Sequence, residues 1–186
     1  VAGTAAGASV GVAPYANVKA IKVLTSSGVG TTDGVISGIF KAIEHQRQNY
    51  NSEPAVLSMS LGGFFSAAFN DAVSAAADAG FIVVAAAGND NADACGASPA
   101  SAGGRGVVTG VITVASSNEY DIRSSFSNFG SCVDIFAPGS HILSASIAST
   151  AGYTRMSGTS MACPHVSGVV ATLLEKNAFN RSAALL

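Results

Sequence analysis

The sequence has few charged residues and no long apolar stretch. Lysine and arginine together number 9, and aspartate and glutamate 11, among 186 residues, which gives a formal net charge of −2 at pH 7. Because proteins bind polyanions through clustered basic side chains, and none cluster here, we expect no nucleic-acid partner. The longest purely apolar run is FIVVAAA, from Phe81 to Ala87, far below the roughly 20 residues that a membrane-spanning helix needs. We therefore expect no membrane partner either.

Large side chains are scarce as well. Apolar residues make up 48% of the chain, many of them alanine, and there are 21 glycines but only 4 tyrosines. This composition predicts one tightly packed domain over residues 1–186 and excludes a disordered or fibrous chain. The chain does not begin with methionine, has no signal peptide, and opens and ends abruptly, with VAGTAAGASVGVAP and AFNRSAALL. We therefore expect the sequence to be a fragment of a longer protein.

The three cysteines form no CxxC pair and no Cys/His cluster, which argues against a structural zinc site. Cys95 lies in a polar, loop-like stretch, Cys132 precedes an apolar run, and Cys163 lies within a helical apolar run. Two interpretations stay open from these residues. The three thiols are reduced and buried, as in a cytosolic protein, or Cys95 and Cys132 form a disulfide in an oxidising compartment and one buried thiol stays free.

Strand-like and helix-like segments alternate along the chain. Apolar residues at helical spacing predict a helix over 33–48, capped within residues 31–33, and a second helix over 69–80, closed by its final glycine. A third helix is expected to open near Ser160. Five runs are predicted as strands: 18–24, 54–63, 81–90, 110–116 and 132–139. This alternation predicts an α/β fold with a mainly parallel sheet.

In a parallel sheet, the loops at the carboxyl ends of the strands form the functional site. Here these loops are TSSGVG (25–30), SLGG (60–63), AGND (87–90) and the segment that leads to Ser160. They are rich in glycine and small polar residues, which allow a ligand to approach the backbone closely. The sequence therefore predicts the site at this edge of the sheet.

Two polar residues of these loops each have a structural and a functional interpretation. Ser160 is either the N-cap of a helix or a nucleophile, whose developing charge the helix N-terminus would favour. Asn89 is either an ordinary turn residue or an oxyanion donor, because an amide offers N–H groups without a competing charge.

None of the three histidines has the position of a general base for Ser160. His45 lies on the polar face of the first predicted helix, and His141 lies at the start of a strand or turn. His165 follows Ser160 by five residues on the same helix, which turns it roughly 140° away. The segment Asp90 to Asp93 lacks the full pattern of a calcium-binding loop.

Taken together, five segments resemble the subtilisin-like serine proteases, peptidase family S8, and specifically the proteinase K-like branch. They are SGTSMACPHVSG (157–168), VVAAAGNDNADAC (83–95), SMSLGG (58–63), VLTSSGVG (23–30) and RSSFSNFGSCVDIFAPG (123–139). The resemblance extends over nearly the whole chain, with these segments in the family's order. The resemblance implies a three-layer subtilisin-like fold and a serine endopeptidase.

The resemblance also implies roles for individual residues. Ser160 would be the nucleophile and Asn89 the oxyanion donor. The peptide substrate would bind as a strand against Gly28, Val29, Gly30, Ser60, Leu61, Gly62, Ala86, Ala87 and Gly88. Small residues at 62 and 88 imply a roomy first pocket, which accepts apolar or aromatic residues before the cleaved bond.

By the same resemblance, the catalytic histidine and aspartate lie outside this sequence. The family's histidine motif reads His-Gly-Thr-His-Val-Ala-Gly-Thr, and the chain opens with VAGT. The histidine would then immediately precede Val1, and the aspartate would lie further upstream. Residues 1–186 would be a partial catalytic domain that is inactive by itself.

The remaining implications concern stability and partners. Cys95 and Cys132 would form a disulfide in a secreted protein. Asp134 would be a calcium ligand, although the segment 103–110 is longer than the matching loop of the family. The chemistry would require no cofactor. Partners would be protein and peptide substrates and a pro-segment or inhibitor, and the enzyme would be a monomer.

Three other functions have partial support in the sequence. A nucleotide-binding domain needs G-x-G-x-x-G, but GVGTTDG and GRGVVTG have their third glycine one place late. An α/β-hydrolase needs its acid and histidine after the nucleophile, and only His165 and Glu175 follow Ser160. A non-catalytic subtilisin-like homologue stays open as the alternative.

Overall fold

A computed structural model describes residues 1–50, 53–104 and 108–176. Its α-helices are α1 (Ala2–Ala6), α2 (Thr32–Asn49), α3 (Ala67–Asp78) and α4 (Thr159–Lys176). Its strands are β1 (Ala55–Met59), β2 (Gly63–Phe64), β3 (Phe81–Ala86), β4 (Ala97–Ser98), β5 (Val111–Ser117), β6 (Ile135–Pro138), β7 (Ile142–Ala145) and β8 (Tyr153–Met156). Two 3₁₀ turns cover Ala94–Gly96 and Ala100–Ala102.

A four-stranded parallel sheet in the order β1-β3-β5-β6 forms the centre of the fold. All six residues of β3 are buried, as the unbroken apolar run predicted, because β3 has a strand on each side and a helical layer on each face. The short strands pair antiparallel, β2 with β4 and β7 with β8.

Alternate side chains of β3 enter two separate cores. Phe81 and Val83 pack with the buried faces of α2 and α3, whereas Ile82 and Val84 pack with the buried face of α4. This alternation follows from the two-residue period of a strand. The result is a three-layer α/β structure with a mainly parallel sheet, which confirms the predicted fold class.

Helix ends follow the sequence signals. The Thr31 side chain accepts a hydrogen bond from the Gly34 amide and caps α2. Gly80 follows α3 with a φ of +102°, a conformation that costs glycine little. The helices predicted over 33–48 and 69–80 are thus confirmed.

The strand predicted over 18–24 is wrong. The segment is not part of any strand, and no strand pairs with it within the described parts of the chain. Most of its side chains are open to solvent, with Val18 56% and Ile21 40% exposed, although Val23 is partly buried against the core. A β-branched composition favours extended backbone, but a strand also needs a hydrogen-bonded neighbour.

Cys95 and Cys132 form a disulfide with their Cα atoms 5.4 Å apart, as the resemblance implied. Cys163 is a free thiol, fully buried beneath the sheet. Among the helices in the described residues, none is long and apolar enough to span a membrane.

Candidate active site

Three segments meet at the carboxyl edge of the sheet: residues 60–63 after β1, residues 87–89 after β3, and the N-terminus of α4. Because β1 and β3 are parallel neighbours, their exits lie side by side. Between them is a pocket of about 550 Å³, half of whose lining residues are glycine or alanine.

The pocket brings together most of the residues that the resemblance implied. Seven of them line it: Leu61, Gly62, Ala86, Ala87, Gly88, Asn89 and Ser160. Ser60 is hydrogen-bonded to Ser160. Gly28, Val29 and Gly30 are not among the described lining residues. They lie in an exposed turn in which the Thr25 amide donates to the Val29 carbonyl at 2.8 Å.

Ser160 is the second residue of α4, so the interpretation of this serine as an N-cap is wrong. A capping hydroxyl accepts a hydrogen bond from a backbone N–H in the first turn. Instead, Ser160 Oγ donates to the Ser60 carbonyl at 3.3 Å, and no backbone N–H of the described residues donates to it. The hydroxyl is therefore not used to start the helix.

Pro164 leaves the Ser160 carbonyl without its usual helical partner. That carbonyl would accept from the amide four residues on, but proline has no N–H. The Ser60 hydroxyl takes this role, donating to the Ser160 carbonyl at 2.9 Å. Ser60 and Ser160 are therefore joined by two hydrogen bonds, one from each hydroxyl.

Thr159 fixes the orientation of the Asn89 amide. The Thr159 backbone N–H donates to Asn89 Oδ1 at 2.8 Å, and its hydroxyl donates to the same oxygen at 3.1 Å. Because a backbone N–H can only donate, the atom that it meets must be the amide oxygen, and the Nδ2 group is left for another partner. The Thr159 hydroxyl also accepts from the Gly88 amide at 3.2 Å.

Two N–H donors border one small space at the start of α4. A Cβ atom built on Gly158 would lie 3.7 Å from the Ser160 backbone nitrogen, 3.7 Å from Met161 Sδ and 3.8 Å from Asn89 Nδ2, with no atom outside residues 157–159 closer than 3.7 Å. Neither nitrogen has a hydrogen-bond acceptor among the described residues. The Ser160 N–H is one of the first-turn amides that a helix cannot satisfy itself. Together the two amides can bind a negatively charged oxygen next to the Ser160 hydroxyl.

Thr159 was not predicted as a site residue from the sequence. A hydroxyl directly before a candidate nucleophile in SGTSMA was the available signal. Its partner Asn89 lies 70 residues away in the sequence, so the pattern could not reveal the contact.

The three histidines have no direct contact with the Ser160 hydroxyl among the hydrogen bonds of the described residues. In none of them does a ring nitrogen form a hydrogen bond with Ser160 in the described structure. The His165 ring bonds to the Met161 carbonyl at 2.8 Å, and the His45 ring meets the Asn49 amide at 3.2 Å.

The Asp134 carboxylate is held by two backbone N–H groups. One carboxylate oxygen, Oδ2, already accepts from the Gly104 amide at 3.0 Å and the Thr113 amide at 2.8 Å. No group of three histidine, cysteine, aspartate or glutamate side chains suited to a metal occurs in the ranges 1–50, 53–104 and 108–176. Calcium normally takes 6–8 oxygen ligands. Calcium binding at Asp134 stays a prediction, and no chemistry below depends on it.

The chain matches one protein family over almost its whole length. The family model for subtilases, Peptidase S8, matches residues 1–184. The chain belongs to the subtilase family. Subtilisin-like protease 3 of Arthroderma benhamiae is 53% identical to this subtilase over 173 residues, which are 93% of this chain and 42% of that protein. Subtilisin-like protease 1 of Trichophyton verrucosum is 48% identical over 92% of this chain and 41% of that protein.

A solved structure agrees with the fold of this subtilase. The crystal structure of a cold-adapted subtilisin-like serine proteinase matches 99% of this chain and 62% of that chain, with a TM-score of 0.85 and 49% sequence identity. The predicted subtilisin-like fold is thereby confirmed. The chain spans about two-fifths of the length of the curated relatives.

Proposed function

We propose that the full-length protein is a serine endopeptidase in which Ser160 is the nucleophile and Asn89 is the oxyanion donor. One observation carries the proposal. The Asn89 amide group, held by Thr159, and the Ser160 backbone N–H border the same space beside the Ser160 hydroxyl. Subtilase membership supports a protease function for such an arrangement.

The proposed reaction proceeds through an acyl-enzyme. Ser160 Oγ attacks the carbonyl carbon of a peptide bond while a base takes the hydroxyl proton. The carbonyl oxygen gains negative charge, which Asn89 Nδ2 and the Ser160 N–H stabilise. The C–N bond then breaks, and the base gives the proton to the leaving amine. Water next attacks the acyl carbonyl while the base takes its proton. The ester bond to Ser160 Oγ breaks, and the base returns the proton to that oxygen.

The resemblance supplies the base. VAGT at residues 1–4 matches the second half of the family's histidine motif, so we propose that a histidine before Val1 is the base and that an aspartate further upstream orients it. Residues 1–186 alone should then hydrolyse no peptide.

The pocket supports a preference for apolar or aromatic side chains before the cleaved bond. Half of its lining residues are glycine or alanine, and the charged residues in the lining, Asp90 and Asp93, are both acidic. The pocket therefore offers space and apolar surface and would repel an acidic side chain. Peptide main chain would lie against residues 60–62 and, on its other side, 28–30. The protein would act as a monomer on protein and peptide substrates, without a cofactor, and would be held inactive by a pro-segment or inhibitor.

The disulfide supports secretion. Disulfides persist in oxidising compartments and are rare in the cytosol, and Cys95–Cys132 is a disulfide here. We propose that the protein is secreted. Its assignment to the proteinase K-like branch rests on the sequence resemblance and is proposed as well.

The test is peptide hydrolysis by the full-length protein and two serine variants. We expect Ser160→Ala to abolish turnover. Ser157→Ala should leave turnover unchanged, because the Ser157 hydroxyl accepts from the His141 amide and has no other hydrogen bond among the described residues. A peptide with phenylalanine before the cleaved bond should exceed its glutamate counterpart in kcat/KM by at least about tenfold. Turnover that survives in Ser160→Ala would overturn the mechanism. A wild-type protein that binds peptide without cleaving it would be the non-catalytic homologue.

A further inference from the structure

Asn128 lies directly beneath the loop that carries Asn89. We call residues 87–92 the oxyanion loop. Asn128 is 1% exposed and comes from the segment between β5 and β6, 38 residues along the chain from Asp90. A polar side chain this deeply buried needs hydrogen-bond partners.

Both ends of the Asn128 side-chain amide form hydrogen bonds with the oxyanion loop. Its Oδ1 accepts from the Asp90 amide at 2.9 Å and from the Ala92 amide at 3.1 Å. Its Nδ2 donates to the Ala87 carbonyl at 2.9 Å. Since backbone N–H groups only donate and a carbonyl only accepts, these three bonds fix the amide in one orientation.

These bonds hold the loop on both sides of Asn89. Ala87 precedes Asn89 by two residues and Asp90 follows it directly. The Asn128 backbone adds a further bond, because its amide donates to the Gly88 carbonyl at 3.0 Å. Thr159 holds the Asn89 side chain from the other direction. The position of the Asn89 amide is therefore determined by two residues that are distant from it in sequence.

Gly88 shows how closely the loop sits on Asn128. Its φ of +101° suits glycine, and a Cβ atom there would lie only 2.3 Å from Asn128 Nδ2. No side chain fits between the loop backbone and the Asn128 amide. The contact is thus part of the loop conformation that presents Asn89.

We propose that Asn128 is a positioning residue for catalysis, which holds the oxyanion loop so that Asn89 Nδ2 meets the developing oxyanion. This inference rests on the proposed protease function. Asn128 presents almost no surface to a substrate and acts through Asn89. An oxyanion donor is effective only when it is already in place as charge develops, and small misplacements of catalytic groups cost large factors in rate.

The test is a double-mutant cycle in the full-length protein. Asn128→Ala should lower kcat by about ten- to a hundredfold with little change in KM. In an Asn89→Ala background, the same substitution should change kcat by no more than about twofold, because the group that it positions is absent. A merely structural role would lower kcat by the same factor in both backgrounds, and that result would overturn the proposal.

Two further variants keep the experiment decisive. Asn128→Asp is nearly isosteric and keeps both acceptor bonds, but its second carboxylate oxygen would face the Ala87 carbonyl with no hydrogen to donate, so kcat should fall at least as far as in Asn128→Ala. If neither variant is folded at the assay temperature, Asn128 serves stability and the proposal fails. Asn118→Ala is the matched control, because it removes an amide oxygen that also accepts from two loop amides, those of Tyr120 and Ile122, but does not line the pocket, and its kcat should equal that of the wild type.

Measuring wild type and Ser160→Ala in the same assay distinguishes a failure of the proposed protease function from a failure of the proposed role of Asn128. If wild type is inactive, or Ser160→Ala is active, the proposed function fails. If they behave as proposed but Asn128 shows no coupling to Asn89, only the role of Asn128 fails.

Discussion

The oxyanion loop and the turn at residues 25–30 differ in what holds them. The oxyanion loop is fixed by groups far away in sequence, Asn128 and Thr159. The turn closes on itself: the Thr25 amide bonds the Val29 carbonyl, and the Thr25 hydroxyl meets that of Ser27 at 2.8 Å. Val29 is 65% exposed. Both contain glycine, and both were predicted to border the substrate.

The difference matches what each segment is proposed to do. Stabilising an oxyanion requires donors that do not move during the reaction, so long-range hydrogen bonds are useful there. Binding a substrate main chain tolerates a segment that adjusts to its ligand. Substitutions in the oxyanion loop should therefore act on kcat, and those in the 25–30 turn should act weakly on KM.

The largest effect is expected from Asn89→Ala. Removal of the amide takes away one of two oxyanion donors, and kcat should fall by about 10²–10³-fold, the range known for such a donor in subtilisin, another member of this family. Steady-state kinetics on the full-length protein provide the measurement. A change in KM alone would show that Asn89 binds substrate and does not stabilise the transition state.

A smaller but clear effect is expected from Gly88→Ala. The new Cβ would lie 2.3 Å from Asn128 Nδ2 at a backbone φ of +101°, so the loop must shift. We expect a loss of about 1–3 kcal/mol in the free energy of unfolding and a reduced kcat. Gly63→Ala is the matched control, because a Cβ there meets nothing within 4 Å, and its thermal unfolding should match that of the wild type. Equal stability of the two variants would contradict the close contact at Gly88.

Val29→Ala tests the other half of the comparison. The side chain is largely exposed and its turn is held locally, so we expect unchanged kcat and a change in KM below about threefold. A loss of kcat comparable to that of Asn89→Ala would show that the turn is as tightly coupled to the chemistry as the oxyanion loop.

The smallest expected effect is a change in the pH dependence of Tm on substitution of Cys163. This residue forms no hydrogen bond with the oxyanion loop or with the 25–30 turn in the described structure. Burial raises the pKa of its thiol, so iodoacetamide should alkylate Cys163 only after unfolding. The sign of the pH dependence follows. The unfolded thiol ionises at lower pH than the folded one, so its contribution to stability is present at neutral pH and is lost as the pH rises above the ordinary thiol value. Between pH 7 and 10, Tm should therefore fall more steeply in the wild type than in Cys163→Ala; parallel curves would contradict the burial effect.

Local patterns predicted most of the framework but few of the contacts at the site. The unbroken apolar run of β3 and the helical spacing of α2 were enough to place both elements, because each signal lies within one segment. The strand prediction for residues 18–24 failed, because composition predicts extended backbone but does not predict whether a neighbouring strand is present.

The resemblance identified Ser160 and Asn89, but not what orients them. Thr159 meets Gly88 across 71 residues of sequence, and Asn128 meets Asp90 across 38. Such pairings depend on how the sheet brings loops together, and no local pattern encodes them. Ser160 was open to the interpretation of a helix cap for the same reason: its bond to the Ser60 carbonyl becomes visible only in the fold.

The most direct test of the central claim is covalent labelling of the full-length protein with a fluorophosphonate, followed by peptide mapping. We expect one label, on Ser160, with activity lost in proportion to labelling and no label in Ser160→Ala. A protein that stays unlabelled, or whose activity is lost by modification of a different serine, would contradict the assignment of Ser160 as the nucleophile.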